Sequence, residues 1–433
     1  MPDTHGGDII KAGDYKINKM VLRSGVDDKF LDIRGLYSSF EIYEDLFSPY
    51  MTAKIYMIDS LNIPEVLPIR GQEVLELEFQ SDIKGIDPIK KIFRVYKIDR
   101  QTIDENGRGQ EYVLHLMSEG GYYNYTERCG YSVKGKVSDM IGQIFEKHFP
   151  KYIWEDKLSV QQTNDDFTFV LPSYYTPFKA ITFLSRRGVV GVAEEYSPLF
   201  FYETIDGYNF KSLSKIIEEG EESKEIYYFT KSNVNKNPDT GESSGITVKG
   251  KSKFPGIYHR IQSLEEQNRF DMIENITSGL LASKLTVYDM LLKEKRDQIF
   301  KESEVFDTMK RLGKKPHLLY GNQEQSNEMF TKSTGSYYYL PFIPRVEEYY
   351  LKRRYMVNTM MTQKLTAQIY GDSTKRVGQI IELFVPKIAS DGHLKEEKDD
   401  KNLSGDYMIT SICHSIGKRY MCRLELSRNA MGV

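Results

Sequence analysis

The sequence predicts a mainly β protein with an α+β portion. The expected parts are two similar antiparallel β-barrel units, an α+β domain beside them, and a helical, charged insert. Three observations predict it: an internal repeat, period-two hydrophobic alternation in both repeated regions, and a helical texture between them. Stretch 40–59 (FEIYEDLFSPYMTAKIYMID) aligns with 270–289 (FDMIENITSGLLASKLTVYD) without a gap, and Phe40/Phe270, Glu44/Glu274, Ser48/Ser278, Lys54/Lys284 and Asp59/Asp289 are identical. Stretch 70–79 (RGQEVLELEF) resembles 377–386 (VGQIIELFVP), and 112–116 (YVLHL) resembles 420–424 (YMCRL). Each block alone is weak, whereas three blocks in one order are much stronger. Repetition decides architecture before any local assignment does. A doubled β module points to a symmetry-matching part rather than an enzyme. The reading requires that 40–59 and 270–289 occupy related places in the fold.

The first unit is expected over 14–125. Met51, Ala53, Ile55 and Met57 alternate with polar neighbours, as do Leu75, Leu77 and Phe79, and Tyr112, Leu114 and Leu116. Such alternation marks strands with one buried face. Turn signals at Ser48-Pro49, Arg70-Gly71, Asp87-Pro88 and Asn106-Gly107 separate them. The α+β domain is expected over 126–244. Val137, Met140, Ile141, Ile144 and Phe145 have helical spacing, with Ser138 as candidate cap, and Thr176-Pro177 opens a second helix over 178–187. Short strands are expected at 167–171 and 198–204. Stretches 218–225 and 232–245 are polar and read as linker or exposed loop.

The second unit is expected in two parts, 245–292 and 345–433, around an insert at 293–344. Its first part pairs 256–265 with 279–291. The insert is rich in Lys and Glu and carries the run Tyr337, Tyr338, Tyr339. A helix is expected over 344–361, followed by strands at 365–370, 379–385, 407–416 and 419–427. Gly417-Lys418 reads as a two-residue type II′ turn, which puts Cys413 opposite Cys422. Both are expected to be free thiols packed as small apolar groups, because a chain without a secretory signal is made in a reducing compartment.

Composition narrows the function classes. The 433 residues suit two to four domains, and hydrophobic content of 40% with 28% charged residues suits a globular chain. A net charge of -3 excludes a strongly basic nucleic-acid binder. No run approaches eighteen apolar residues, so no membrane-spanning helix is expected. The thirty-one tyrosines suit strands and wet interfaces.

A search for chemistry comes back empty. Gly241, Ser243 and Gly245 fit a nucleophile elbow by letter, but the elbow needs a buried strand before it and a helix after it, and a polar loop precedes this one. Asp165-Asp166, Glu194-Glu195 and the acids of 218–222 are adjacent or solvated rather than paired across a cleft. The seven histidines are scattered, with no pair at metal-ligand spacing. No catalytic, metal or cofactor residue is assigned.

At this point the chain resembles a family: the central hub protein of contractile-tail bacteriophage baseplates, related to the front part of the type VI secretion spike protein. The carrying segments are 40–59, 71–79, the helices at 137–149 and 178–187, and the helix at 344–361 running into 365–372 and Val377-Gly378. The resemblance covers roughly 16–429 and departs at the insert. It implies two β-barrel tube domains with an α+β domain beside them. Three copies would form a ring of six quasi-equivalent barrels, which meets a sixfold tail tube at one end and a threefold spike at the other. The implied protein is no enzyme and binds no cofactor. Its partners would be two further copies, the tail tube protein, the central spike protein, and the tape measure and other baseplate proteins, with DNA passing transiently through the lumen and no stable membrane association. It would sit in the tail baseplate of a virion after synthesis in the host cytoplasm. The chain stops just past the second unit, so the spike is expected on another polypeptide. A DNA channel should not grip phosphate, so Glu73, Glu76, Glu78 and Glu382 are candidate wall carboxylates; the other reading is that they face solvent outside the ring. Charged loops 82–91 and 393–403, with Asp82, Lys91, His393, Lys395 and Asp400, are candidates for touching the tube, or are solvated loops. The alternatives are a hub or spike component of a contractile secretion system or tailocin, a tail-tip cell-wall hydrolase, and a carbohydrate-binding receptor protein.

Overall fold

The computed structural model describes residues 12–81, 85–103, 109–191, 196–229, 256–318, 330–332, 336–387 and 399–432. The protein is mainly antiparallel β with an α+β portion, as the alternating stretches require. The first unit holds β1 (Tyr15–Arg23), β2 (Phe30–Asp32), β3 (Tyr37–Asp45), β4 (Thr52–Asp59), β5 (Val74–Ser81), β6 (Ile89–Ile103) and β7 (Gln110–Ser118). Ala53, Ile55 and Met57 of β4 and Leu75, Leu77 and Phe79 of β5 are buried at the predicted period of two. Gly71 enters β5 with φ +94°, a left-handed conformation that glycine adopts without strain.

The α+β portion follows with β8 (Ser132–Lys136), β9 (Leu158–Val160), β10 (Asp166–Val170), β11 (Leu199–Thr204) and β12 (Gly207–Ser212). Helices Val137–His148 and Pro177–Ser185 form where the spacing predicts them and bury their apolar stripes. Phe145 packs within 4.9–6.1 Å of the rings of Phe149, Trp154, Phe178, Phe201 and Tyr208. Ser138 does not cap its helix: Lys136 holds the N-cap position, and the Ser138 amide is inside, bonded to Thr163 Oγ1 at 3.1 Å. The acids of 218–222 are no linker. They end the helix Leu213–Glu222, whose Leu213, Ile216, Ile217 and Gly220 are buried and whose Ser212 caps the Lys215 amide.

The remainder contains β13 (Glu225–Tyr228), β14 (Ser263–Asn268), β15 (Ala282–Asp289), β16 (Glu294–Lys301), β17 (Tyr337–Pro341), β18 (Gln363–Tyr370), β19 (Ile380–Phe384), β20 (Gly405–Ile416) and β21 (Tyr420–Arg428). Helix Val346–Thr362 leads into β18 as expected.

Strand order reveals the duplication and corrects its details. In the first unit the order is β3-β4-β7-β6-β5, and in the second β14-β18-β21-β20-β19. Numbered along the chain, both run 1-2-5-4-3. The second and third sequence blocks therefore fall on equivalent strands, β5 with β19 and β7 with β21. The first block does not, so the requirement placed on it fails, and the duplication rests on the strand order and the other two blocks. Stretch 40–45 lies in β3, whereas 272–277 is the helix Met272–Thr277, capped by Asp271 accepting from the Glu274 amide. Phe40 is 1% exposed and Phe270 62%. The true counterparts of β3 and β4 are β14 and β18, and everything from β15 to the end of helix Val346–Thr362 lies between them. β15 resembles β4 because any half-buried strand shares its alternation. Nor does 256–265 pair with 279–291: β14 pairs with β18, and β15 pairs with β16 and, in parallel, with β17.

Neither unit closes as a barrel among the described residues. Thirteen strands form one continuous sheet, ending in β2 on one side and β14 on the other. The edge of β3 that would be needed to close the first unit is instead hydrogen-bonded to β20 of the second. The sheet curls without closing, so that Phe79 of β5 lies 5.5 Å from Phe40 of β3 and 5.7 Å from Tyr420 of β21. One apolar core runs through both units, and a second fills the α+β portion.

The β20–β21 turn is one residue longer than predicted. Ile416 pairs with Tyr420, which places His414 opposite Cys422 and Cys413 opposite Arg423. Gly417 lacks the positive φ that a type II′ turn needs. Cys129, Cys413 and Cys422 are buried thiols.

Candidate assembly interface

The seam between the units is the centre of the architecture. β3 and β20 pair antiparallel from Ser411↔Asp45 to Ile416↔Phe40. On the core face Phe40, Ile42 and Glu44 meet Ile416, His414 and Ile412. Glu44 thus takes an apolar position in an alternating strand and is fully buried. Its Oε1 accepts from the Ile205 amide at 3.1 Å and its Oε2 from the Val377 amide at 3.4 Å. One side chain of the first unit therefore ties down a loop of the α+β portion and the turn before β19. Burial pushes its pKa up to about 7, against the pull of Arg376, the two amides and Lys91. Arg376 is held in turn by both oxygens of Asp206, at 2.8 and 3.0 Å.

Two further buried clusters brace this frame. Lys375 is 3% exposed in its side chain and bridges Glu225 at 2.7 Å and Asp372 at 3.3 Å, fastening β13 to the turn after β18. Its pKa is raised although burial opposes it, because Tyr227, Asp372 and Glu225 surround it. The second cluster has the look of a catalytic triad. Glu302 Oε1 lies 2.9 Å from His317 Nδ1, and His317 Nε2 lies 2.8 Å from Thr362 Oγ1. It is closed to substrate, with Glu302 fully buried and Thr362 5% exposed. Thr362 donates its proton to the Thr359 carbonyl, and Glu302 also accepts from the His317 and Leu318 amides and from Tyr355 Oη. This network folds the segment after β16 against helix Val346–Thr362.

The sequence candidates fall in several places. Glu73 is 1% exposed, and its carboxylate accepts from the amides of Arg70, Gly71 and Gln72 at 2.9–3.1 Å, so it shapes a turn rather than a wall. Glu76 is ion-paired with Lys19 and Arg23, and Glu78 lies 3.5 Å from Lys90. Both border a cleft of about 370 Å³. Glu382 on β19 lies 3.7 Å from Lys224. β5 and β19 are the third strands of their units, so Glu76, Glu78 and Glu382 occupy equivalent strands. Lys91 is drawn inward to Glu203 at 2.8 Å and the Thr204 carbonyl at 3.1 Å. Asp400 Oδ1 caps the amides of Asn402 and Leu403. Asp82, His393 and Lys395 lie outside the described residues, as do the Gly241–Gly245 turn and Glu194-Glu195. The loops carrying the first three join β5 to β6 and β19 to β20, the same place in each unit.

Sequence reasoning missed Glu44, Arg376 and Lys375. The signal for Glu44 was present: a carboxylate in phase with Phe40 and Ile42. It also missed an apolar tip between β15 and β16, where Met290, Leu291 and Leu292 are 82, 94 and 61% exposed. Asp289 fixes this tip by accepting from the Leu291 and Leu292 amides, both at 3.0 Å. Among the described residues no helix is long and apolar enough to cross a membrane, and no cluster of His, Cys, Asp or Glu could hold a metal ion.

No family model and no curated protein matches the sequence. Among solved structures, the chain is similar to the 43 kDa tail protein of prophage MuSo2 from Shewanella oneidensis, with a TM-score of 0.51 at 9% identity over 96% of this chain and 100% of that one. It is also similar to a tail protein from Neisseria meningitidis MC58, with a TM-score of 0.49 at 10% identity over 95% and 96%. A Francisella PdpA-VgrG complex gives a TM-score of 0.48 at 7% identity, over 98% of this chain and 59% of that one. The protein has the fold of the Shewanella prophage tail protein.

Proposed function

We propose that this chain is the structural hub of a contractile phage tail baseplate. Three copies form a ring of six quasi-equivalent β units, set between a sixfold tail tube and a threefold central spike. The ring nucleates the tube and forms part of the conduit for DNA. The observation that carries this reading is the repeated 1-2-5-4-3 strand order within one unbroken sheet. Two such units per chain turn three copies into six near-equivalent positions, and a head-to-tail contact generates a ring when its rotation closes.

In this reading the five expected divisions, 14–125, 126–244, 245–292, 293–344 and 345–433, serve as first tube unit, bracing domain, and second tube unit around its insert. Loops 82–91 and 393–403, at one equivalent place in both units, meet the tube; Asp82, His393, Lys395 and Asp400 are their charged contacts. Glu76, Glu78 and Glu382 stand on the strands nearest the lumen, each beside a cation, so that the wall is close to neutral toward DNA. Tape measure and other baseplate proteins are further partners. The role is mechanical, with no catalysis and no cofactor.

Mass photometry of the purified chain, alone and with the tail tube and central spike proteins of the same tail, tests this. A trimer in either sample supports the hub. A chain that stays monomeric with both partners present refutes it, as does clear cell-wall hydrolysis on a zymogram.

A further inference from the structure

The intrachain seam has an unused equivalent. β20 is divided by a bulge at Thr410. Before it, Gly405–Met408 pair with β19; after it, Ser411–Ile416 pair with β3. β6 is built the same way, with a bulge at Tyr96. Before it, residues 89–94 pair with β5; after it, among the described residues, Lys97–Asp99 and then Thr102–Ile103 pair with β7 alone, separated by a second bulge at Arg100 (φ +55°) and Gln101 that the outer half of β20 lacks. So the fourth strand of the second unit has its outer half covered by β3, a first strand. The fourth strand of the first unit has its outer half open, with Arg100, Gln101, Thr102 and Ile103 exposed. At the far end of the sheet β14, the other first strand, pairs among the described residues only with β18. Among the described residues a chain thus carries one uncovered first strand and one uncovered fourth-strand half, and the covered pair shows how they fit. Open strand edges are templates for further pairing.

We infer that β14 of one copy pairs antiparallel with the outer half of β6 of a second copy, repeating between chains the β3–β20 seam made within each chain. This deepens the hub reading and rests on it. The register follows from the bulges. Aligning Tyr96 with Thr410 sets Asp99 on Cys413, which faces Tyr43 within the chain. The ladders through β4 and β18 set Ile42 on Glu266, since Ala53 and Leu365 face Leu116 and Leu426, the partners of Val95 and Ile409. β14 has its own bulge after Glu266, so Gln267 and Asn268 together take the place of Tyr43. Asp99 of one copy therefore faces Gln267 and Asn268 of the next. The exposed charges that remain are opposite in sign, Glu265 on β14 and Arg100 on β6, whereas Glu266 is already paired with Arg269 and Lys97 with Asp99. Covering this edge also buries Ile103, now 67% exposed.

The test is cysteine cross-linking of the full chain with the tube and spike proteins present, read beside mass photometry of the same sample. Side chains directly opposite across an antiparallel pair stand about 4.5–5.5 Å apart at Cβ, within reach of a disulfide. The Asp99→Cys/Gln267→Cys and Asp99→Cys/Asn268→Cys variants are expected to give covalent dimers and trimers on mild oxidation, with nothing larger. An Asp99→Cys/Ser263→Cys variant, off register by four residues, is expected to stay uncrosslinked. All four positions are at least partly exposed, so folding is retained. A trimer that forms without either cross-link overturns the pairing and leaves the hub standing. Covalent ladders beyond three copies keep the pairing and overturn the closed ring. Equal cross-linking of the off-register variant overturns the seam.

Discussion

Glu44→Gln separates the buried carboxyl from the rest of the seam. The carboxyl ordinarily loses its proton near 4.5, and in the fold it holds it to about 7. That difference is worth about 3 kcal/mol. Between pH 4.5 and 7 the unfolded chain has released this proton and the folded chain has not. Stability from this group is therefore complete below pH 4.5 and is lost as pH rises to 7, after which it is flat. Glutamine cannot ionise. It keeps one acceptor for Ile205 and places an amide group against the Val377 N–H, a loss of about 1 kcal/mol. At pH 5 the parent has already lost about 0.8 kcal/mol of this stability, so the variant should be nearly as stable as the parent, and at pH 8 about 2 kcal/mol more stable. His414 works in the opposite direction. Burial pushes it down to about 3, so it adds stability as pH rises from about 3 to 6.5. It is present in both proteins and cancels in their difference. The assay is urea unfolding followed by far-UV circular dichroism at unit steps from pH 5 to 8. A difference curve without slope, or one in which glutamine loses ground as pH rises, would refute the burial argument.

Other substitutions probe the frame. Glu73→Ala removes the acceptor for three turn amides. Exchange at Arg70, Gly71 and Gln72 should quicken at least about tenfold, measured by hydrogen–deuterium exchange. Phe145→Ala opens the aromatic cluster and should cost about 3–5 kcal/mol, with altered fluorescence from Trp154, whose ring lies 6.0 Å away. Arg353→Met removes the guanidinium that donates to the carbonyls of Arg186 at 3.1 Å and Gly188 at 2.5 Å, tying helix Val346–Thr362 to the α+β portion. Burial already pushes this arginine down to about 10, and the change should cost about 2 kcal/mol in the same urea assay. Serine at Met290, Leu291 and Leu292 together should alter thermal stability by no more than about 0.5 kcal/mol, because all three side chains are largely exposed.

The two helices of the α+β portion were legible because an amphipathic stripe is local: Val137, Met140, Ile141, Ile144 and Phe145 specify one buried face whatever that face meets. The same holds for the alternation in β4, β5, β7 and β18. Pairing partners were not legible. The match of 40–59 with 270–289 rested on an alternation common to strands, and Asp271 made a helix of its first half. Glu382 and Glu76 were placed on equivalent strands because Gly71 and Gly378, both at positive φ, mark the turns that enter them.

By itself, then, the sequence determined the mainly β class, the interposed α+β portion and the existence of a repeated strand set. Only the tertiary structure decided which strands repeat, that β3 joins β20 instead of closing a barrel, and that Glu44 is buried across three parts of the chain. The physical reason is range. Periodicity is written in neighbouring residues, whereas a strand's hydrogen-bonding partner and a carboxylate's desolvation are set by segments that meet only when the whole sheet has formed.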